Sequence, residues 1–118
     1  ALRDAGCVVG LGTDNNTQDM FEVMRTALRT ERVATENALS PQPEDVVEWG
    51  TMGSARALDM DDHIGSLEIG KKADLIMIDM MRAHLVPTTR IVSSWIHNGQ
   101  PGVDVMIDRR GNVMVLTE

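Results

Sequence analysis

Three observations predict an α/β protein. A short apolar run, Val8-Val9-Gly10-Leu11, closes on Gly12 and is followed at once by Thr13, Asp14, Asn15 and Asn16. Helical apolar spacing then dominates as far as Leu58, and strand-like runs dominate from Ile64 onward. A strand that delivers a carboxylate at its carboxyl end, followed by a loop and an amphipathic helix, is how α/β folds place chemistry at one rim of a parallel sheet or barrel.

Residues 8–11 are β-branched or apolar and lie between glycines, which predicts a buried strand. For Asp14 two roles stay open from spacing alone: a cap or Asx turn between strand and helix, or a functional carboxylate. Residues 19–37 predict a helix, with Met20 or Phe21, Met24, Leu28, Ala34 and Ala38 on one stripe. Asp19 and Glu22 in its first turn, and Arg25, Arg29 and Arg32 further on, suit the helix dipole. The polar Glu31-Arg32 step predicts a break or an exposed segment.

Ser40-Pro41-Gln42-Pro43-Glu44-Asp45 combines a capping side chain, prolines and two acids, the signature of a helix start. The second helix is expected from about Pro43 towards Leu58. Gly50 and Gly53 interrupt it, each at a cost of about 1 kcal/mol relative to Ala, so they imply either two short helices or a close backbone contact.

From Asp59 the pattern changes. Asp59, Asp61, Asp62 and His63 predict a polar turn, Ile64-Gly65-Ser66-Leu67 a short extended piece, and Gly70-Lys71-Lys72 a solvated turn. Ala73-Asp74-Leu75-Ile76-Met77-Ile78-Asp79 is the strongest strand, and its nearly continuous apolar run implies burial on both faces. After Pro87 a short helix is expected at about 88–97, with Ile91, Val92, Trp95 and Ile96 at helical spacing and Asn98-Gly99 as the stop. Residues 103–107 and 112–116 alternate as two strands around Asp108-Arg109-Arg110-Gly111. The change near residues 59–67 divides the chain into residues 1–62 and residues 63–118.

Composition narrows the function. The 118 residues suffice for one domain. Aromatic residues make up only 3%, and nine Met take the place of large rigid side chains in the core. A net charge of −7, with 18 acidic against 11 basic residues, argues against a nucleic-acid partner. Cys7 is the lone cysteine, which excludes an intrachain disulfide or a cysteine-based zinc site and fits a cytoplasmic setting. No run has the length of a membrane span, and no signal-peptide layout is present. Because Ala1 stands only a few residues before a predicted buried strand, the chain is expected to lack its beginning.

Four blocks in order, Gly10-Leu11-Gly12-Thr13-Asp14, Asp19-Met20-Phe21-Glu22, Gly53-Ser54-Ala55-Arg56-Ala57-Leu58 and Ile64-Gly65-Ser66-Leu67-Glu68-Ile69-Gly70-Lys71-Lys72-Ala73-Asp74-Leu75-Ile76, carry a family resemblance. They resemble the C-terminal part of the amidohydrolase superfamily, in its cytosine deaminase, chlorohydrolase and guanine deaminase branch of metal-dependent hydrolases. The resemblance implies a C-terminal fragment of a (β/α)8 barrel plus strands of a small composite β-sandwich domain. Residues 1–62 would hold the eighth barrel strand and the helices that follow it, and residues 63–118 the sandwich strands with the short helix at about 88–97.

The same resemblance implies that Asp14 is a ligand of one divalent metal, zinc first and iron as the other candidate, and that it accepts a proton from the water that the metal activates. Asn15 and Asn16 would either line the pocket of a small nitrogen heterocycle that undergoes deamination or loss of halide, or satisfy backbone groups of their loop. The family's His-x-His pair and its further histidine ligands are absent from this chain. His63, His84 and His97 lack ligand spacing and are expected in surface or capping roles. The turn at 108–111 also departs from the family's common Asp-Gly turn, so a longer or bulged turn is expected.

The implied function is therefore the C-terminal segment of a metal-dependent hydrolase acting on non-peptide carbon–nitrogen or carbon–halogen bonds, inactive without a missing N-terminal barrel segment. The alternatives are a noncatalytic module, either oligomerising as a homo-oligomer through exposed barrel faces or binding a small molecule at Asp14-Asn15-Asn16.

Overall fold

The structure is a computed structural model and describes residues 2, 5–15, 18–99, 105–108, 110 and 113–115. Helix α1, Met20–Ala34, begins where the sequence predicts. Asp19 is its N-cap, and its carboxylate accepts from the Phe21 amide at 2.9 Å, one of the orphan donors of a first helical turn. Phe21, Met24 and Leu28 form the buried stripe. The break expected at Glu31-Arg32 does not occur. Instead the Arg32 guanidinium donates twice to the Pro41 carbonyl, at 2.9 and 2.8 Å, and ties the end of α1 to the loop behind it.

Helix α2, Pro43–Glu48, starts with Gln42 at the N-cap rather than Ser40, and the Asp45 carboxylate accepts from the Gln42 amide at 2.6 Å. A proline at the first turn leaves no donor unsatisfied there. At the glycine interruption two short helices flank a single turn, and Gly53 lies at a close backbone contact. Trp49–Gly53 forms one π turn that leads directly into α3, Ser54–Ala57, and such π turns within helices are frequent at functional sites.

Helix α4, Ile91–Asn98, packs against α1 and α2. Phe21 and Trp95 meet edge to face with ring centroids 5.0 Å apart, a favoured aromatic geometry. The Arg25 guanidinium donates to the Ile96 carbonyl at 2.8 Å and also to the Gly99 carbonyl, satisfying acceptors that the last turn of α4 leaves open. The core is thus built by three helices around Leu28, Val46 and Ile96, each 0% exposed.

The sheet has the order β1-β2-β3, with β1 Leu75–Met77, β2 Val105–Ile107 and β3 Val113–Val115. Both pairings are antiparallel, with Ile76 opposite Met106 and Met106 opposite Met114. The expectation of a strand buried on both faces over 73–79 fails. Only three residues of that run join the sheet, at its edge, where Ile76 and Met77 are exposed because nothing among the described residues covers them.

The turn at 70–72 also differs from its solvated expectation. Lys71 is tucked in, with its ammonium 2.8 Å from the Ser66 hydroxyl and 3.2 Å from the Glu68 carboxylate. Of the expected terminal hairpin, Val103, Asp104, Arg109, Gly111, Asn112 and Leu116 lie outside the described residues.

Candidate active site

The segment that carries Asp14 runs extended across the π turn. Among the described residues, nothing pairs with residues 8–11, which run extended without the ladder of the strand expected there. Val8 is 58% exposed, while Val9 and Leu11 are partly covered and Leu11 packs against the helical core. A strand needs neighbours to pair with, and the described residues offer this segment a helix instead.

The backbones approach closely at that contact. A Cβ on Gly10 would lie 2.8 Å from the Ser54 Cα, and one on Gly53 would lie 2.9 Å from the Val9 carbonyl oxygen. Only glycine permits such distances without displacement. Ser54 bridges the two segments: its hydroxyl oxygen accepts from the Leu11 amide at 3.0 Å. The hydroxyl lies 2.8 Å from the Trp49 carbonyl and 3.2 Å from the Leu11 carbonyl, so its single proton has two acceptors.

Three residues beyond Leu11, Asp14 stands exposed in a turn with φ +56°. This is the left-handed region, which Asp enters more readily than most side chains do. Asn15 follows it in the same turn and is exposed. Asn16 lies outside the described residues. The structure therefore places Asp14 and Asn15 side by side in one turn. Among the described residues no three His, Cys, Asp or Glu side chains stand together as a metal site. Asp14 can supply one carboxylate, and the described residues do not complete a metal centre around it.

Sequence reasoning had no residue corresponding to the Ser54 bridge. Its signal was the interruption at Gly50 and Gly53, one explanation of which was a close backbone contact.

Elsewhere, charge is arranged on the surface. Glu44 is held below the usual carboxylate range by a backbone hydrogen bond and by Arg90, whose guanidinium lies 3.0 Å away. Glu68 is lowered by the Ser66 hydroxyl and by Lys71. The His97 imidazole is pushed down by partial burial and by Arg32, Arg29 and Arg25 on α1. No helix among the described residues is long and apolar enough to cross a membrane.

An extended segment thus ends at an exposed carboxylate and is followed by an amphipathic helix. Residues 1–108 match the profile of the Amidohydrolase family, and the chain belongs to that family. It is 39% identical over 111 residues to a 5-methylthioadenosine/S-adenosylhomocysteine deaminase of Pelotomaculum thermopropionicum, an alignment covering 90% of this chain and 25% of the relative. It is also 39% identical over 101 residues to a 5'-deoxyadenosine deaminase of Methanobrevibacter smithii, covering 82% of this chain and 23% of that protein. A crystal structure of an adenosine deaminase from Xanthomonas campestris with bound zinc superposes with a TM-score of 0.85 at 30% identity, over 98% of this chain and 27% of the other. The chain spans about a quarter of the length of these relatives.

Proposed function

We propose that these residues are the C-terminal segment of a metal-dependent deaminase that hydrolyses the exocyclic C–N bond of an adenosine-type heterocycle. The observation that carries this is Asp14, an exposed carboxylate at the end of a docked extended segment, within a chain whose relatives are named as deaminases of adenosine-type compounds. In this reading residues 8–11 are the last strand of a (β/α)8 barrel, and β1, β2 and β3 belong to a small composite sandwich. The exposed side chains of Val8, Ile76 and Met77 would then meet strands supplied by an N-terminal barrel segment. The boundary near residue 62 separates the two parts, although α4 packs with the barrel-side helices.

Asp14 supplies one oxygen ligand, and histidines from outside this chain complete the set. A bound divalent metal, zinc in preference to iron, supplies Lewis acidity at neutral pH. Asp14 accepts a proton from the attacking water and hands it towards the leaving amino group, and the flanking amides of Asn15 and Asn16 border the substrate. The chain alone is inactive in this reading, and the setting is cytoplasmic. A noncatalytic oligomerising module and carbon–halogen hydrolysis are the weaker alternatives, because the relatives are named as deaminases.

The test is the whole reading frame that contains these residues, assayed for ammonia release from adenosine-type nucleosides. Asp14→Asn is the suitable variant, since Asn also tolerates a positive φ and keeps the side-chain shape while removing the charge and the proton-accepting carboxylate. Turnover is expected to fall by about 10²-fold or more. Wild-type turnover in Asp14→Asn would remove Asp14 from the chemistry.

A further inference from the structure

We propose that Trp95 is a positioning residue for the loop between Asp14 and Asp19: through Phe21 its indole holds the first turn of α1, and so sets where that loop presents the amides that border the substrate. Those amides are the Asn15 and Asn16 side chains of the function proposed above, on which this inference rests. The contacts involved join α1, α2 and α4, none of which is a barrel strand. They therefore stand alongside the pairing of residues 8–11 with strands outside this chain.

The loop is held at two ends. At one, Asp14 follows the extended segment of residues 8–11. At the other, the Asp19 carboxylate accepts from the Phe21 amide at 2.9 Å and ties the last loop residue to the first turn of α1. Four residues, 15–18, lie between them. A first turn has amides without intrahelical partners, so the cap and the packing of its side chains decide where it stands. A shift of that turn moves the far end of the loop and leaves Asp14 on its own segment.

The packing at that turn is aromatic. Phe21 is buried, and its ring meets that of Trp95 edge to face, with centroids 5.0 Å apart and planes at 63°. Helix α4, which carries Trp95, lies in the chain between β1 and β2. It is fastened to the barrel-side helices at both ends. Arg90, its N-cap residue, pairs with Glu44 in the first turn of α2 at 3.0 Å. In its last turn the Ile96 carbonyl, and beyond it the Gly99 carbonyl, accept from the Arg25 guanidinium of α1. Trp95 is thereby a fixed surface for Phe21, supplied from the sheet side of the chain. Groups that must meet a substrate closely depend on such support from behind.

The experiment uses the whole reading frame that contains these residues and compares Trp95→Leu, Trp95→Phe, Phe21→Leu, the double variant Trp95→Leu/Phe21→Leu, and Ile96→Val as a core control. Two quantities are read: KM and kcat with an adenosine-type nucleoside, and amide hydrogen exchange by mass spectrometry over residues 15–22 against residues 28–34. Trp95→Leu is expected to raise KM about threefold to tenfold, the worth of one aromatic pair, with kcat within about twofold. Exchange over residues 15–22 is expected to quicken relative to residues 28–34. Trp95→Phe keeps a ring and is expected to raise KM only about twofold. Phe21→Leu is expected to act as Trp95→Leu does, and the double variant no more than the larger single one, because both remove the same contact. Ile96→Val is expected to leave KM unchanged.

A wild-type KM in Trp95→Leu, or in Trp95→Phe where the first variant does not fold, would overturn the inference. Additive effects in the double variant, or an equal rise in KM with Ile96→Val, would do the same. Equal acceleration of exchange in both stretches would assign Trp95 to the stability of the whole fold. Exchange is read without substrate. A protein that released no ammonia from such nucleosides would therefore end the function proposed above, while exchange over residues 15–22 would still judge the hold of Trp95 on the loop.

Discussion

The helical region closes a core around a few side chains, and strand β1 has no fully buried side chain. Helices α1, α2 and α4 close a core within the chain, with Leu28, Val46 and Ile96 sealed from solvent. The sheet leaves Ile76 42% and Met77 56% exposed, and Val8 on the site segment is left in the same condition. Apolar surface on that scale at a sheet edge and beside a candidate site is where further protein packs. The contrast locates the closed core of the described residues in the helices.

Substitutions can break that comparison. Leu28→Ala should cost the most, about 2–5 kcal/mol in a denaturant titration, because it opens a cavity in a closed core. Arg32→Ala should cost about 1–3 kcal/mol, since it removes both charged hydrogen bonds to the Pro41 carbonyl. Ile76→Ala should cost less than about 1 kcal/mol, because much of its side chain already meets water. If Ile76→Ala destabilised as much as Leu28→Ala, the sheet would possess a closed core of its own and the distinction would fail.

The smallest effect concerns pH. Partial burial and the three arginines of α1 lower the His97 pKa, so below about pH 6.5 the unfolded chain binds more protons than the folded one. Stability is therefore complete above that pH and declines as pH falls from there towards the lowered native value. His97→Gln should flatten this part of a stability-against-pH curve. An undiminished slope would assign the loss to other groups. Glu44 and Glu68, whose pKa values are lowered, lose their contribution at more acid pH, so the two windows separate.

The helices were legible because their information is local. Asp19 before the Phe21, Met24 and Leu28 stripe, and Asn98-Gly99 after Trp95 and Ile96, carry start, face and stop within a few residues. The family was legible in the four ordered blocks. Residues 8–11 and 73–79 were harder, since an apolar run states that a segment seeks cover but leaves open what provides it. One leans on a helix through Ser54, and the other joins the sheet edge with three residues. The π turn illustrates the same limit: Gly50 and Gly53 signalled a departure from helix, while the reason, a segment crossing at Gly10, lies over forty positions away in sequence.

Of the candidate site, the turn that holds Asp14 was legible, and the hydrogen bond between Leu11 and Ser54 was not. The central claim is that Asp14 belongs to a metal site whose other ligands lie outside these 118 residues. The most direct test is the zinc content per chain, measured for the 118-residue chain and for the whole reading frame that contains it. The account predicts no stoichiometric zinc in the first and one in the second, and a tightly bound equivalent of zinc in the 118-residue chain alone would contradict it.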